Sequence, residues 1–186
     1  MANNCYNFIT ICGNEKEISE FSKLLELTPE NKQENGIEIY ENLITEFCEG
    51  KLEFFDGNSR WFDIEQQEGQ DKNNIVLSGD SAWNPALKLF TKISERYPSF
   101  EIRYEYEESG NDFAGFANIS KGNCEDNCFP YWEGVIKTQG ESEAVVMVIQ
   151  NELSGYETKK ELKESDMFKS FSKENKKEIL TYFENE

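Results

Sequence analysis

Any chemistry in this chain must proceed without histidine. Its 186 residues include 37 Asp and Glu, 19 Lys and Arg, 5 Cys, 8 Tyr and 3 Trp, and no His. That removes imidazole triads, imidazole metal ligands and the usual pH switch. Carboxylates, thiols, phenols and amines are left. Cys124 and Cys128 come nearest to a ligand pair, but a three-residue spacer without a second pair does not complete a four-ligand zinc set. Cys5 and Cys12 lie in an apolar run and read as small core residues. With Cys48 the cysteine count is odd, and Met1 to Asn4 has neither the basic nor the apolar region of a signal peptide. Reduced thiols in a cytoplasmic protein are the expectation, with no cofactor and no bound metal.

Two arrangements of the remaining groups invite a functional reading. Trp83, Tyr104, Tyr106, Glu107 and Asp112 would form an aromatic and carboxylate site for a polar or cationic ligand if a loop and two strand ends bring them together. Against this, strict alternation over 100–107 is what an ordinary half-buried strand shows, with tyrosines in the core and acids in water. Glu105 and Glu107, about 7 Å apart on one strand face, have the spacing of a glycosidase pair. In a chain with 37 acids, such pairs also arise by chance.

The second arrangement is the acidity itself. The net charge is −18, and residues 1–140 hold 26 acidic and 12 basic side chains. Glu34, Glu38, Glu41, Glu46, Glu49 and Glu53 crowd one stretch and form the candidate partner-binding set. Direct binding to nucleic acid or to an anionic membrane needs a basic footprint, which this composition lacks. The longest apolar run, 144–149, is too short to span a bilayer. An acidic protein can instead occupy the basic groove of a nucleic-acid-handling protein, steered there by its charge. The plainer alternative is a solvated face that only keeps the chain soluble.

The elements that must carry these residues follow from periodicity. Residues 5–12 read as a central strand ending at Gly13. Asn14, with Glu17 three positions on, reads as a capping box opening a helix over 15–27. Residues 28–58 read as an acidic insertion with a short helix near 40–48. Strands are expected at 60–66 and 75–78. Asn84-Pro85 reads as a cap followed by the first helical residue, with the helix closed by Pro98. A strand over 100–107 turns at Ser109-Gly-Asn and returns over 113–119. Residues 131–137 and 143–150 read as an added hairpin around Gly140, and 151–186 as a helical extension with Ser172 capping its last helix. The order strand, helix, strand, strand, helix, strand is the split β-α-β pattern of an α+β, ferredoxin-like antiparallel sheet. Residues 1–150 would form that domain, with extra C-terminal strands and helices.

Particular residues also carry a likeness. Ser81-Ala-Trp-Asn-Pro85, Phe90, Arg96-Tyr-Pro98, 104–110 and Asp112-Phe-Ala-Gly115 resemble the YubB-type ferredoxin-like domain family over roughly residues 1–120. The sequence departs from it at 61–74, where only Trp61 stands in place of a tryptophan-rich segment. The resemblance implies a ferredoxin-like fold and an origin on bacterial plasmids or phages, and it brings no catalytic residues with it. The expected function is a non-enzymatic acidic interaction protein that blocks a basic host protein, with no direct contact to nucleic acid or membrane. Self-repulsion at −18 opposes compaction and salt screens it. The melting temperature is therefore expected to rise from low to moderate NaCl; a flat or falling series in a thermal scan would show that the charges are locally compensated.

Overall fold

A computed structural model describes residues 4–25, 43, 46–48, 62–67 and 71–184. Strand β1 (Asn4–Cys12) leads into helix α1 (Glu15–Leu25), then β2 (Phe62–Gln66), β3 (Asn74–Ala82), α2 (Leu87–Arg96) and β4 (Glu101–Glu108). A 3-10 turn at Ser109–Asn111 links β4 to β5 (Phe113–Ser120), followed by β6 (Asn123–Pro130). The six strands lie in the order β2-β3-β1-β4-β5-β6, and each neighbouring pair is antiparallel. The first four strands and two helices are the α+β, ferredoxin-like arrangement expected from the element order.

Helix α1 starts where Asn14 predicts. The Asn14 side-chain oxygen accepts the Glu17 N–H at 2.9 Å. Glu17 does not turn back to close the box. Its carboxylate accepts from the Ser99 N–H and hydroxyl at 3.1 and 2.8 Å, and the Ser99 hydroxyl accepts from the Asn14 N–H. The cap thus ties α1 to the turn before β4. Burial works to raise the Glu17 pKa, but the Ser99 and Asn14 hydrogen bonds outweigh it and hold the carboxyl below its ordinary range.

One side of the sheet is covered by α1 and α2, which bury Ile18, Phe21, Leu25, Leu89, Phe90 and Ile93. Against them lie Ile9 and Ile11 of β1, Leu77 of β3, and Ile102 and Tyr104 of β4. Phe21 meets Tyr97 and Phe100 edge-on at 5.7 and 5.5 Å, the favoured geometry for aromatic pairs.

The expected hairpin at 131–150 is instead a pair of helices, α3 (Tyr131–Gln139) and α4 (Glu141–Asn151). The β-branched run at 144–149 that suggested a strand has Ala144, Val145 and Val148 on one helical face, all buried. Helices α5 (Lys159–Glu164), α6 (Asp166–Ser170) and α7 (Lys173–Phe183) follow, and Ser172 caps α7 by accepting the Asn175 N–H. The helical extension therefore begins at 131, twenty residues before the expected boundary. Leu162, Met167, Phe168, Phe171 and Ile179 join Val135 and Ala114 in a second core on the other side of the sheet. Close approach is possible because Gly134 lacks a side chain: a Cβ there would lie 2.4 Å from the Ala114 carbonyl oxygen.

Three other local expectations change. Strand β6 is an exposed edge strand made of polar residues, which hydrophobic patterning does not reveal. Cys12 faces outward and is exposed, while Cys5 is buried as expected. Cys5's thiol is pushed up to about 12 by burial. Cys124 and Cys128 share one face of β6, four residues or about 13 Å apart, too far to bridge or to share one ion. Of the helix expected near 40–48, Leu43 and residues 46–48 are helical and the rest lies outside the described residues.

The loop before α2 shows why that helix starts late. Pro85 is not its first residue; Leu87 is, with Ala86 at the cap. Asn84 N–H bonds the Ala82 carbonyl, so the chain turns within three residues at Trp83, whose φ of 74° is in the left-handed region. Such a turn costs on the order of 1–3 kcal/mol. A buried network offsets it. Ser81 Oγ donates to the Asn84 carbonyl at 2.7 Å, and Asn7 Nδ2 donates to Ser81 Oγ at 2.9 Å. Tyr104 Oη donates to Asn7 Oδ1 at 2.9 Å and accepts from the Ala86 N–H at 3.0 Å. Removing the Tyr104 hydroxyl leaves the buried Asn7 Oδ1 with only the weak Cys5 thiol donor at 4.0 Å and takes the hydroxyl acceptor from the buried Ala86 N–H. Tyr104→Phe is expected to lower unfolding free energy by about 1–3 kcal/mol in urea titration, with the slope unchanged; a loss below about 0.3 kcal/mol would mean the network contributes nothing net.

Candidate functional site

The aromatic and carboxylate cluster expected from the sequence does not converge. Side chains alternate across a strand, so Tyr104 and Tyr106 point under α2 while Glu107 points to the opposite side of the sheet. Tyr104 is fully buried and committed to the loop network. Tyr106 donates to Asp126 Oδ1 at 2.5 Å, and burial followed by that carboxylate raises its pKa far above the ordinary range. Asp112 adopts a left-handed conformation and accepts the Tyr131 N–H at the start of α3. Trp83 is half-buried at its turn. Trp83, Tyr104, Tyr106 and Asp112 serve the framework, and the sheet separates Glu107 from the two tyrosines.

The supposed carboxylate pair is likewise engaged. Glu105 accepts from Arg103 Nε at 3.1 Å, and Glu107 accepts from Gln139 Nε2 at 3.0 Å. Glu108, the next residue, is only 2% exposed and caps the 3-10 turn by accepting the Gly110 N–H through one oxygen. Its other oxygen has no hydrogen-bond partner among the described residues. Of the acid-rich stretch, Glu46 forms a short ion pair with Arg96, whose guanidinium also lies 5.3 Å from the Phe47 ring. Glu34, Glu38, Glu41, Glu49 and Glu53 lie outside the described residues.

The site that the fold does create is a face of the sheet. Helices α3 to α7 cover mainly its β5–β6 end, around Ala114, and α3 reaches the end of β4 where Gln139 meets Glu107. Over β1 and the rest of β4 no described helix covers the same face. Tyr6 and Phe8 of β1 stand on it at 44% and 38% exposure, large values for central-strand aromatics. Register fixes their neighbours. Tyr6 is directly opposite Asp80 on β3 and Glu107 on β4; Phe8 is opposite Ser78 and Glu105. Among the described strand residues, this face carries Glu65, Asp80, Glu101, Glu105, Glu107 and Glu125 against a single cation, Arg103. That cation is already used: its guanidinium lies 3.7 Å from the Phe116 ring centre and bonds Glu105 and Asn118.

A depression of about 330 Å³ lies between Tyr6, Phe8, Glu105 and Glu107, and Thr138 and Gln139 at the end of α3 wall it on one side. A second, of about 440 Å³, lies farther along the face between Thr10, Cys12, Glu101, Arg103 and Glu125. Both are open to solvent and neither encloses a reactive pair. Burial raises the Glu107 pKa, and the Gln139 amide only partly opposes it, so this carboxylate is desolvated without a compensating cation. Sequence reading missed Tyr6, Phe8 and Gln139. The signal for the first two was present, since Tyr6, Phe8 and Thr10 alternate with the buried Cys5, Asn7, Ile9 and Ile11; Gln139 was hidden by the misread hairpin.

Among the described residues no three His, Cys, Asp or Glu side chains are grouped to hold a metal, and no helix is long and apolar enough to cross a membrane. No curated protein matches the sequence. A solved structure of protein Api92 from Yersinia pseudotuberculosis is similar at 18% identity and a TM-score of 0.32, over 58% of this chain and 39% of the other. This chain thus corresponds to less than half of that protein. The ferredoxin-like domain in Api92-like protein matches residues 47–149, from before β2 to within α4. With more than half of its length matched, the chain belongs to the family of ferredoxin-like domains of Api92-like proteins.

Proposed function

We propose that this is a non-enzymatic interaction protein of a phage or plasmid that binds and blocks a basic nucleic-acid-handling or defence protein in the cytoplasm of a bacterial host. The observation that carries the reading is the open sheet face, with two exposed aromatics set among carboxylates and its one strand cation already paired. An enzyme site would need reactive groups brought together and sheltered from water. The candidate residues are instead divided between two sides of the sheet. A charge of −18 steers the protein toward a basic surface, and local pairing with Arg and Lys holds it there. The likeness to the YubB-type family of mobile elements supports the phage or plasmid origin. In this reading the acidic protein stands in for nucleic acid on its partner.

The test is capture from bacterial lysate at roughly 0.05 and 0.5 M NaCl, conditions that differ severalfold in screening length. A basic protein is expected to bind at low salt, to be released at high salt and to be displaced by duplex DNA. Charge reversal by Glu38→Lys with Glu41→Lys tests the contribution of the acid-rich stretch and should slow association several-fold with little change in dissociation. Glu46 is left alone because its reversal would break the pair with Arg96. Capture indifferent to both salt and DNA would overturn the proposal.

A further inference from the structure

The open face contains its own example of how it can hold a cation. Phe116 on β5 is directly opposite Glu105 on β4. Arg103 lies across that pair, with its guanidinium 3.7 Å from the Phe116 ring centre and Nε 3.1 Å from the Glu105 carboxylate. One ladder over, the pattern recurs: Tyr6 on β1 is directly opposite Glu107 on β4. There the carboxylate meets only the neutral Gln139 amide among the described residues. Asp80 flanks Tyr6 from the other side, and Phe8 extends the aromatic surface by one position. Directly opposed side chains in an antiparallel sheet have Cβ atoms about 5 Å apart, so one planar cation can stack on the ring and still reach the acid.

We infer that the depression between Tyr6, Phe8 and Glu107 is the docking site for an arginine side chain of a basic partner segment. Arginine fits better than lysine because its planar guanidinium can stack on a ring and donate to a carboxylate at the same time. Glu107 supplies the acceptor, with Asp80 close enough to add to the negative field. The Tyr6 and Phe8 rings supply the platform, and Thr138 with Gln139 closes one wall. The inference rests on the reading of the protein as a binder of basic partners, and names where and how that partner is gripped.

The experiment is an NMR titration of the isotope-labelled full chain with octa-arginine and, separately, octa-lysine at low salt. The expected result is tighter binding of octa-arginine, with amide shifts concentrated at residues 6–8, 105–107 and 138–139. Tyr6→Leu with Phe8→Leu, at partly exposed positions that tolerate the change, should weaken octa-arginine about fivefold and octa-lysine by less. Glu107→Gln should weaken octa-arginine by a similar factor while leaving the spectrum of the free protein dispersed. Shifts spread over other acidic regions, or variants that bind like the wild type, would overturn the site while leaving the basic-partner reading standing. If neither peptide binds at low salt, both fall.

Discussion

Strand β1 is hydrogen-bonded along both edges, to β3 and β4, and can therefore neither twist away nor shift register without breaking two ladders. Everything else is arranged around that constraint. Cys5, Asn7, Ile9 and Ile11 must point to one side, and α1 and α2 cover them. Tyr6, Phe8, Thr10 and Cys12 must point to the other, where the later helices pack on Ala114 and reach no farther than Glu107 at the end of β4 among the described residues. The polar residues at the buried end, Asn7 and Ser81, are acceptable there because each is bonded to a neighbour across the sheet or in the loop. The interior of the first core and the exposure of the second face are thus two results of one strand's placement.

The second core has a different logic. It rests on the sheet through a glycine against a carbonyl, a contact that fixes how closely α3 can lie on β5. Helices α4 to α7 then pack largely on α3 and on one another. Glu141 accepts from the Ser172 N–H, joining the beginning of α4 to the cap of α7 and holding the Glu141 carboxyl below its ordinary range, chiefly through that backbone donor. Because this layer is narrow, it closes one end of the face and ends at Gln139, which is where the aromatic platform begins. The covering helices serve as a wall for the open part as well as a lid for the closed part.

Helix α1, helix α2 and strand β4 were legible from local signatures, namely the Asn14 cap, the prolines that flank α2 and the alternation over 100–107, whereas the strand expected at 75–78 is less than half of β3, Asn74–Ala82. The family match does not include β1 and α1, and their periodicity and the Asn14 cap are what mark them in the sequence. The misreadings have equally specific causes. Val145, Val146, Val148 and Ile149 favour strands intrinsically, while in the fold Val145 and Val148 are buried on one helical face in a core shared with Val135 and Leu153. Strand β6 has almost no apolar residues and exists because β5 offers it a ladder. The aromatic cluster failed on parity: Tyr106 and Glu107 are adjacent in sequence, and adjacency on a strand means opposite sides. Exposure was the hardest property to foresee, because Tyr6 and Phe8 sit in a central strand and nothing local announces that they stay 44% and 38% exposed.

The polar edge strand has a consequence for the protein's behaviour in concentrated solution. A free β-edge is a template for another edge, and two such chains pairing there would extend the sheet from one molecule into the next. Here the outermost strand carries Glu125 and Asp126 side by side, one on each face, and ends at Pro130. Wherever a second copy approaches, it brings the same acids, so like charges meet across the nascent ladder and the proline offers no donor at its end. The acids that make β6 hard to see by hydrophobic patterning thus oppose edge-to-edge growth of the sheet.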